Sequence, residues 1–100
     1  MAVYFVSRHT GAVEWARRQG LVVDHLVEHL DVAQVSKGDT VVGTLPVNLV
    51  ARVCEAGARY LHLSLALPPA LRGQELDADQ LEALGTRLEA YEVRRLPGAD

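Results

Sequence analysis

Cysteine is nearly absent from this 100-residue chain. Cys54 stands alone, which excludes an internal disulfide and a zinc site built from several thiolates, and fits a reducing cytoplasm. A basic excess is missing too. The net charge is −3, which counts against broad, sequence-blind binding to DNA or RNA but leaves room for a local anion site. No apolar run approaches the ~20 residues of a membrane span. Met1-Ala2 leads straight into a strand pattern, so no signal peptide and no membrane association are expected. Several signatures are also lacking: the Rossmann glycine triplet, the Walker lysine motif and the G-x-S-x-G elbow. A dinucleotide or nucleoside triphosphate cofactor is therefore not indicated, and no cofactor is expected. His25 and His29 lie four apart, but no HExxH pattern surrounds them and no partner has ligand spacing, so no metal site is expected.

An apolar share of 49% argues for a globular fold, and 100 residues is the length of one domain, spanning residues 1–100. Val3 to Val6 is a short β-branched and aromatic run that reads as a strand. Gly11 to Gly20 reads as a helix, with Gly20 placed to stop it. Leu21 to Leu30 fits a strand or a helix; its position after the glycine stop favours a strand. Thr40 to Gly43 is a buried strand. Pro46 then opens a helix whose stripe is Val47, Leu49, Val50, Val53 and Cys54, stopped at Gly57, with Thr44 or Leu45 near its cap. Arg59 to Leu65 is a strand, Ala66 to Gly73 a loop with Pro68-Pro69, and Asp77 caps a helix using Leu76, Leu81, Leu84 and Leu88. Tyr91 to Leu96 reads as a last edge strand and residues 97–100 as a tail. The order β, α, β, β, α, β, α, β predicts an α/β fold: a small Rossmann-like three-layer domain with a mainly parallel sheet.

Two strand-to-helix turns carry unusual residues: Ser7-Arg8-His9-Thr10-Gly11 and Gly43-Thr44-Leu45-Pro46-Val47-Asn48. In a parallel sheet both lie at one edge, where open α/β sheets bind ligands, and each helix start offers N–H donors to an anion. Gly11 and Gly43 would let backbone approach a ligand closely. Arg8, His9, Thr10, Thr44 and Asn48 are donors suited to a phosphodiester, with Leu45 and Pro46 beside them. This set fits metal-independent RNA cleavage, in which the ribose 2′-hydroxyl attacks the adjacent phosphorus. Arg8 would stabilise phosphoryl charge, His9 would move a proton or contact phosphate, and Ser7 and Asn48 would orient the ribose or phosphate. Plainer readings stand beside these. Thr10 caps the helix, and Arg8 and His9 are solvated turn residues; Trp15 is a ligand-binding candidate that could stack on a base, though packing of the helix on the sheet is the favoured reading.

The segments Phe5-Val6-Ser7-Arg8-His9-x-Gly11-Ala12-x-Glu14-Trp15, Val23-Asp24-His25 with His29-Leu30-Asp31, Gly38-Asp39-Thr40-Val41-x-Gly43-Thr44-Leu45-Pro46-Val47-Asn48 and Gly57-Ala58-Arg59-Tyr60-x-His62-Leu63 carry a resemblance. Together they resemble the small CRISPR-associated accessory proteins of type III systems, the sixteenth Csx family. That family is similar to the CARF-like Rossmann domains. The resemblance implies a ring nuclease that cleaves a cyclic oligoadenylate second messenger, cyclic tetra-adenylate foremost, and so switches off the antiviral response. It implies a metal-free reaction giving linear oligoadenylate with a 2′,3′-cyclic phosphate. The alternatives are a non-catalytic cyclic oligoadenylate-binding protein, a sponge or sensor, and a generic anion-binding domain. A four-phosphate ring is too large for one open sheet edge of this size. A two-fold homodimer is therefore expected, with Leu61-Leu63-Leu65, Pro68-Pro69 and the last helix as candidate interface elements.

Overall fold

A computed structural model describes residues 1–98. The elements run β1 (Val3–Val6), α1 (Thr10–Arg18), β2 (His25–Val27), β3 (Thr40–Gly43), α2 (Val47–Glu55), β4 (Arg59–Ser64), α3 (Ala78–Ala83) and β5 (Arg87–Tyr91), with single 3-10 turns at Val32–Gln34 and Pro69–Leu71. The five strands form one sheet in the order β2-β1-β3-β4-β5. β1, β2, β3 and β4 are parallel, and only β5 runs antiparallel to its neighbour. The expected α/β architecture and element order are therefore present.

Alternation along the strands divides the core. Phe5, Val42 and Leu63 face α1 and α3, packing with Ala12, Val13, Trp15, Ala16, Ala78 and Leu81. Val41 and Tyr60 face the other way, onto Val50 and Val53 of α2 and Val35 of the β2–β3 connection. Phe5, Val41, Val42 and Val53 are fully buried, and each such side chain contributes on the order of 1.5–3 kcal/mol of transfer free energy. Cys54 sits partly buried beside the α2 core, as its place on the apolar stripe predicts. Leu61, Leu63 and Leu65 also pack into the α1/α3 core. Leu63 is buried there, whereas Leu61 and Leu65 each keep part of their surface exposed.

Two element boundaries differ from the sequence reading. β2 is three residues long rather than ten, because its one neighbour β1 is itself short and the register supplies only three pairs, Tyr4 to Val6 with His25 to Val27. The last strand is Arg87–Tyr91, not 91–96. Leu88 has helical spacing from Leu81 and Leu84, but Gly85, with φ +69°, ends the turn after α3. Leu88 then pairs with Leu63 across the β4–β5 ladder. The expected glycine stops are present at Gly20 and Gly57, both with positive φ. Of the 97–100 tail, residues 99 and 100 lie outside the described residues.

Asp39 ties β1 to the turn before β3. Its carboxylate accepts the N–H of Ala2 at 2.9 Å and of Ser36 at 2.8 Å. These bonds, that from Ala2 first, hold its pKa below the ordinary 3.8 despite the opposing effect of burial. A lowered folded pKa means that the stabilisation is complete above the unfolded value and is lost as pH falls through the folded one. We therefore expect thermal melts between pH 5 and about 2 to show a steep acid loss below about pH 4, near the unfolded value. Asp39→Asn should melt lower at pH 7 and flatten that loss; an unchanged acid limb would assign it to other carboxylates.

Candidate functional site

β1 and β3 are neighbours, yet their helices leave toward opposite faces, α1 onto the Phe5 side and α2 onto the Val41 side. The crevice beyond the carboxyl ends of β1 and β3 is thus a topological switch point, where open α/β sheets place ligands. The two turns named from the sequence both open here. A Cβ built on Gly43 would lie 3.1 Å from the Val6 carbonyl oxygen, so the two strand ends pass too closely for a side chain at that position to sit without displacement.

The two helix starts share a property. His9 is the N-cap of α1 and Pro46 that of α2; neither gives a side-chain cap, and neither helix has an acidic residue in its first turn. Thr10 is the first helical residue rather than the cap, and Thr44 and Leu45 precede the α2 cap. α3 is built differently: Asp77 accepts from Gln80 N–H, Gln80 Oε1 accepts from Asp77 N–H, and Asp79 occupies the first turn. α3 therefore satisfies its own end with side chains, whereas α1 and α2 bring uncapped positive dipole ends to one crevice.

A cavity of about 460 Å³ lies beside the β1 turn. Ser7, His9, Gly43 and Thr44 contribute to its rim, Phe5, Leu63, Leu65, Leu71 and Leu81 to its walls, and Gln74 and Glu75 enter from the β4–α3 loop. Arg8, Thr10, Gly11, Leu45, Pro46 and Asn48 are not among its lining residues. Arg8 and Asn48 are exposed, and Arg8 makes no ion pair among the described residues, which leaves its guanidinium available to an anion. Ser7 Oγ accepts the His9 N–H at 3.0 Å and so shapes the turn. Val47, at the first residue of α2, is 70% exposed and puts an apolar side chain beside the crevice.

Two expected roles are corrected. Trp15 is only 2% exposed in the α1/α3 core, and its indole N–H donates to Glu82 at 2.8 Å. It locks α1 to α3 and has no ring face free for a base. Gly11 is close to the chain's own backbone rather than positioned for a ligand. A Cβ there would overlap the Leu76 carbonyl oxygen and lie 3.0 Å from Asp77 Cα. The absence of a side chain at Gly11 lets the segment before α3 seat against the start of α1.

That seating brings in a residue the sequence reading missed. Glu75 meets His9 Nδ1 with both carboxylate oxygens, at 2.5 and 2.9 Å, across 66 positions of sequence. Nothing local marks Glu75; it is a loop carboxylate whose partner is fixed only by the fold.

Tyr60 is a second missed residue, now in a structural role. Its buried hydroxyl donates to the Gly43 carbonyl at 2.9 Å and accepts the Leu45 N–H at 3.0 Å, bracing the β3–α2 turn from β4. Burial pushes this hydroxyl above its ordinary pKa, so it keeps its proton at neutral pH. His62 Nδ1 stands 2.8 Å from the same oxygen. With the phenol proton committed to Gly43, His62 must supply a proton there through Nδ1–H.

Among the described residues, no three His, Cys, Asp or Glu side chains cluster as a metal-binding group, and no helix is long and apolar enough to cross a membrane. Fold and crevice together define a small switch-point α/β protein with a histidine–carboxylate pair beside two uncapped helix ends. The chain belongs to a CRISPR-associated family: residues 4–94 match the family described as "Putative CRISPR-associated protein (Cas_VVA1548)". No curated protein and no solved structure matches it.

Proposed function

We propose that this CRISPR-associated protein is a ring nuclease that opens a cyclic oligoadenylate, cyclic tetra-adenylate foremost, and thereby ends type III signalling. The observation that carries this reading is the His9–Glu75 pair at a crevice flanked by two uncapped helix N-termini. A phosphodiester is an anion, and the crevice meets it with helix-end N–H groups, the exposed Arg8 guanidinium and the exposed Thr10 and Asn48. Family membership over residues 4–94 supports the same biological setting.

In the proposed reaction the ribose 2′-hydroxyl gives its proton to His9 as the 2′-oxygen bonds to phosphorus. The bond from phosphorus to the 5′-oxygen breaks, and the leaving oxygen takes a proton from solvent. The products are a 2′,3′-cyclic phosphate and a 5′-hydroxyl, with no water consumed in this step. Arg8 and the helix ends hold charge on the non-bridging oxygens, and Ser7 shapes the turn that presents His9.

One crevice does not enclose a ring with four phosphates, so the active form is a two-fold homodimer that faces two crevices onto one ligand. Val47 gives each mouth an apolar rim for the bases or the second copy. The test is incubation of purified protein with cyclic tetra-adenylate in EDTA, with light scattering and titration by a non-cleavable ring analogue. The expected result is undiminished ring opening in EDTA and one ring per two chains. Tight binding without turnover would make the protein a sponge or sensor. Failure to bind any oligoadenylate would leave only a generic anion-binding domain. Turnover restored solely by a divalent ion would overturn the metal-free step and bring back His25 and His29 as ligand candidates.

A further inference from the structure

From the geometry we infer that Glu75 is the positioning residue of the site: it fixes the His9 ring as the Nδ1–H tautomer and leaves Nε2 as the base. The inference rests on the proposed phosphodiester cleavage for its catalytic use, but the tautomer is a property of the protein alone. A carboxylate only accepts, so the nitrogen 2.5 and 2.9 Å from the Glu75 oxygens must carry the proton. In the neutral ring the other nitrogen, Nε2, then holds the lone pair that a general base needs.

The energetics favour orientation over stability. His9 and Glu75 side chains are 61% and 68% exposed, and ion pairs that open to water contribute little to folding. The segment that carries Glu75 is nevertheless pinned on both sides. Gln74 N–H donates to the Leu71 carbonyl and its side-chain amide to the Ala70 carbonyl. Leu76 rests its backbone against Gly11, and Asp77 is locked in the α3 capping box. Glu75 therefore has a fixed backbone origin, and His9 has its own in the turn that Ser7 shapes. During ring opening Nε2 gains the 2′-hydroxyl proton, and the Glu75 carboxylate stabilises the imidazolium that results. His9 later returns that proton to solvent, so the charge balance of the cycle closes.

The test combines nitrogen-15 NMR of the His9 ring without ligand with steady-state kinetics on cyclic tetra-adenylate. Wild-type protein should show the Nδ1–H tautomer, and Glu75→Ala should shift it to Nε2–H. In Glu75→Ala we expect kcat to fall about 10- to 100-fold with KM within about twofold. Glu75→Gln keeps an acceptor for Nδ1–H and should retain more activity than Glu75→Ala. An Nε2–H wild-type ring, a tautomer indifferent to Glu75→Ala, or a loss confined to KM would each overturn the inference. If wild-type protein opens no ring, the proposed function fails, while the tautomer measurement still decides whether Glu75 orients His9.

Discussion

His9→Ala should slow ring opening by about 100- to 10,000-fold, the range spanned by removal of a general acid–base group. The fold should survive the change. His9 makes no side-chain cap to α1, its ring is largely exposed, and its one polar partner among the described residues is the exposed Glu75. The melting temperature is therefore expected to stay at the wild-type value while kcat collapses. Ring binding should change little, because Arg8 and the two helix ends remain. Single-turnover kinetics beside a thermal melt make the comparison. A wild-type rate in His9→Ala would move the chemistry onto Arg8 and backbone donors alone.

Gly11→Ala should damage both stability and activity, against the local preference of a helix. Gly11 is the second residue of α1, and alanine in a helix interior is favoured over glycine by about 1 kcal/mol. Opposing that gain, the added Cβ would overlap the Leu76 carbonyl oxygen and press on Asp77 Cα, both of them backbone. Backbone seated between α1 and a capped helix cannot swing away as a flexible side chain would, and overpacking of this kind costs about 1–3 kcal/mol. The clash wins, so the melting temperature should drop. Relief by shifting the 74–77 segment would separate Glu75 from His9, so kcat should fall about as far as in Glu75→Ala, on the order of 10- to 100-fold. A stabilised Gly11→Ala protein would mean that the two segments do not touch in solution.

What could be read from the sequence follows the range of the forces involved. Val3–Val6 and Thr40–Gly43 are short β-branched runs bounded by polar turns, and both formed where the pattern placed them. The turns at Ser7–Gly11 and Gly43–Asn48 converge because parallel neighbours put their ends on one edge, a consequence of topology that alternation of elements predicts. β5 was hidden because Leu84 and Leu88 continue a helical spacing, and the break at Gly85 decides the matter. β2 is shorter than its apolar pattern because an edge strand is as long as its partner allows, which no local pattern records. The contact between Glu75 and His9 lay beyond local reading altogether, since it depends on a long loop seating on a glycine near the start of the chain. Trp15 illustrates the reverse case. Its helical spacing with Ala12, Ala16 and Gln19 already favoured packing, and its indole is indeed in the core, donating to Glu82.

The most direct measurement is the chemistry of the product ends. Purified protein is incubated with cyclic tri-, tetra- and hexa-adenylate in EDTA, and the products are identified by mass spectrometry. Attack by the 2′-hydroxyl should give linear oligoadenylate from the tetra-adenylate ring, with a 2′,3′-cyclic phosphate at one end and a 5′-hydroxyl at the other. Intact rings, or products that carry a 5′-phosphate and a 3′-hydroxyl, would contradict attack by the 2′-hydroxyl at this crevice.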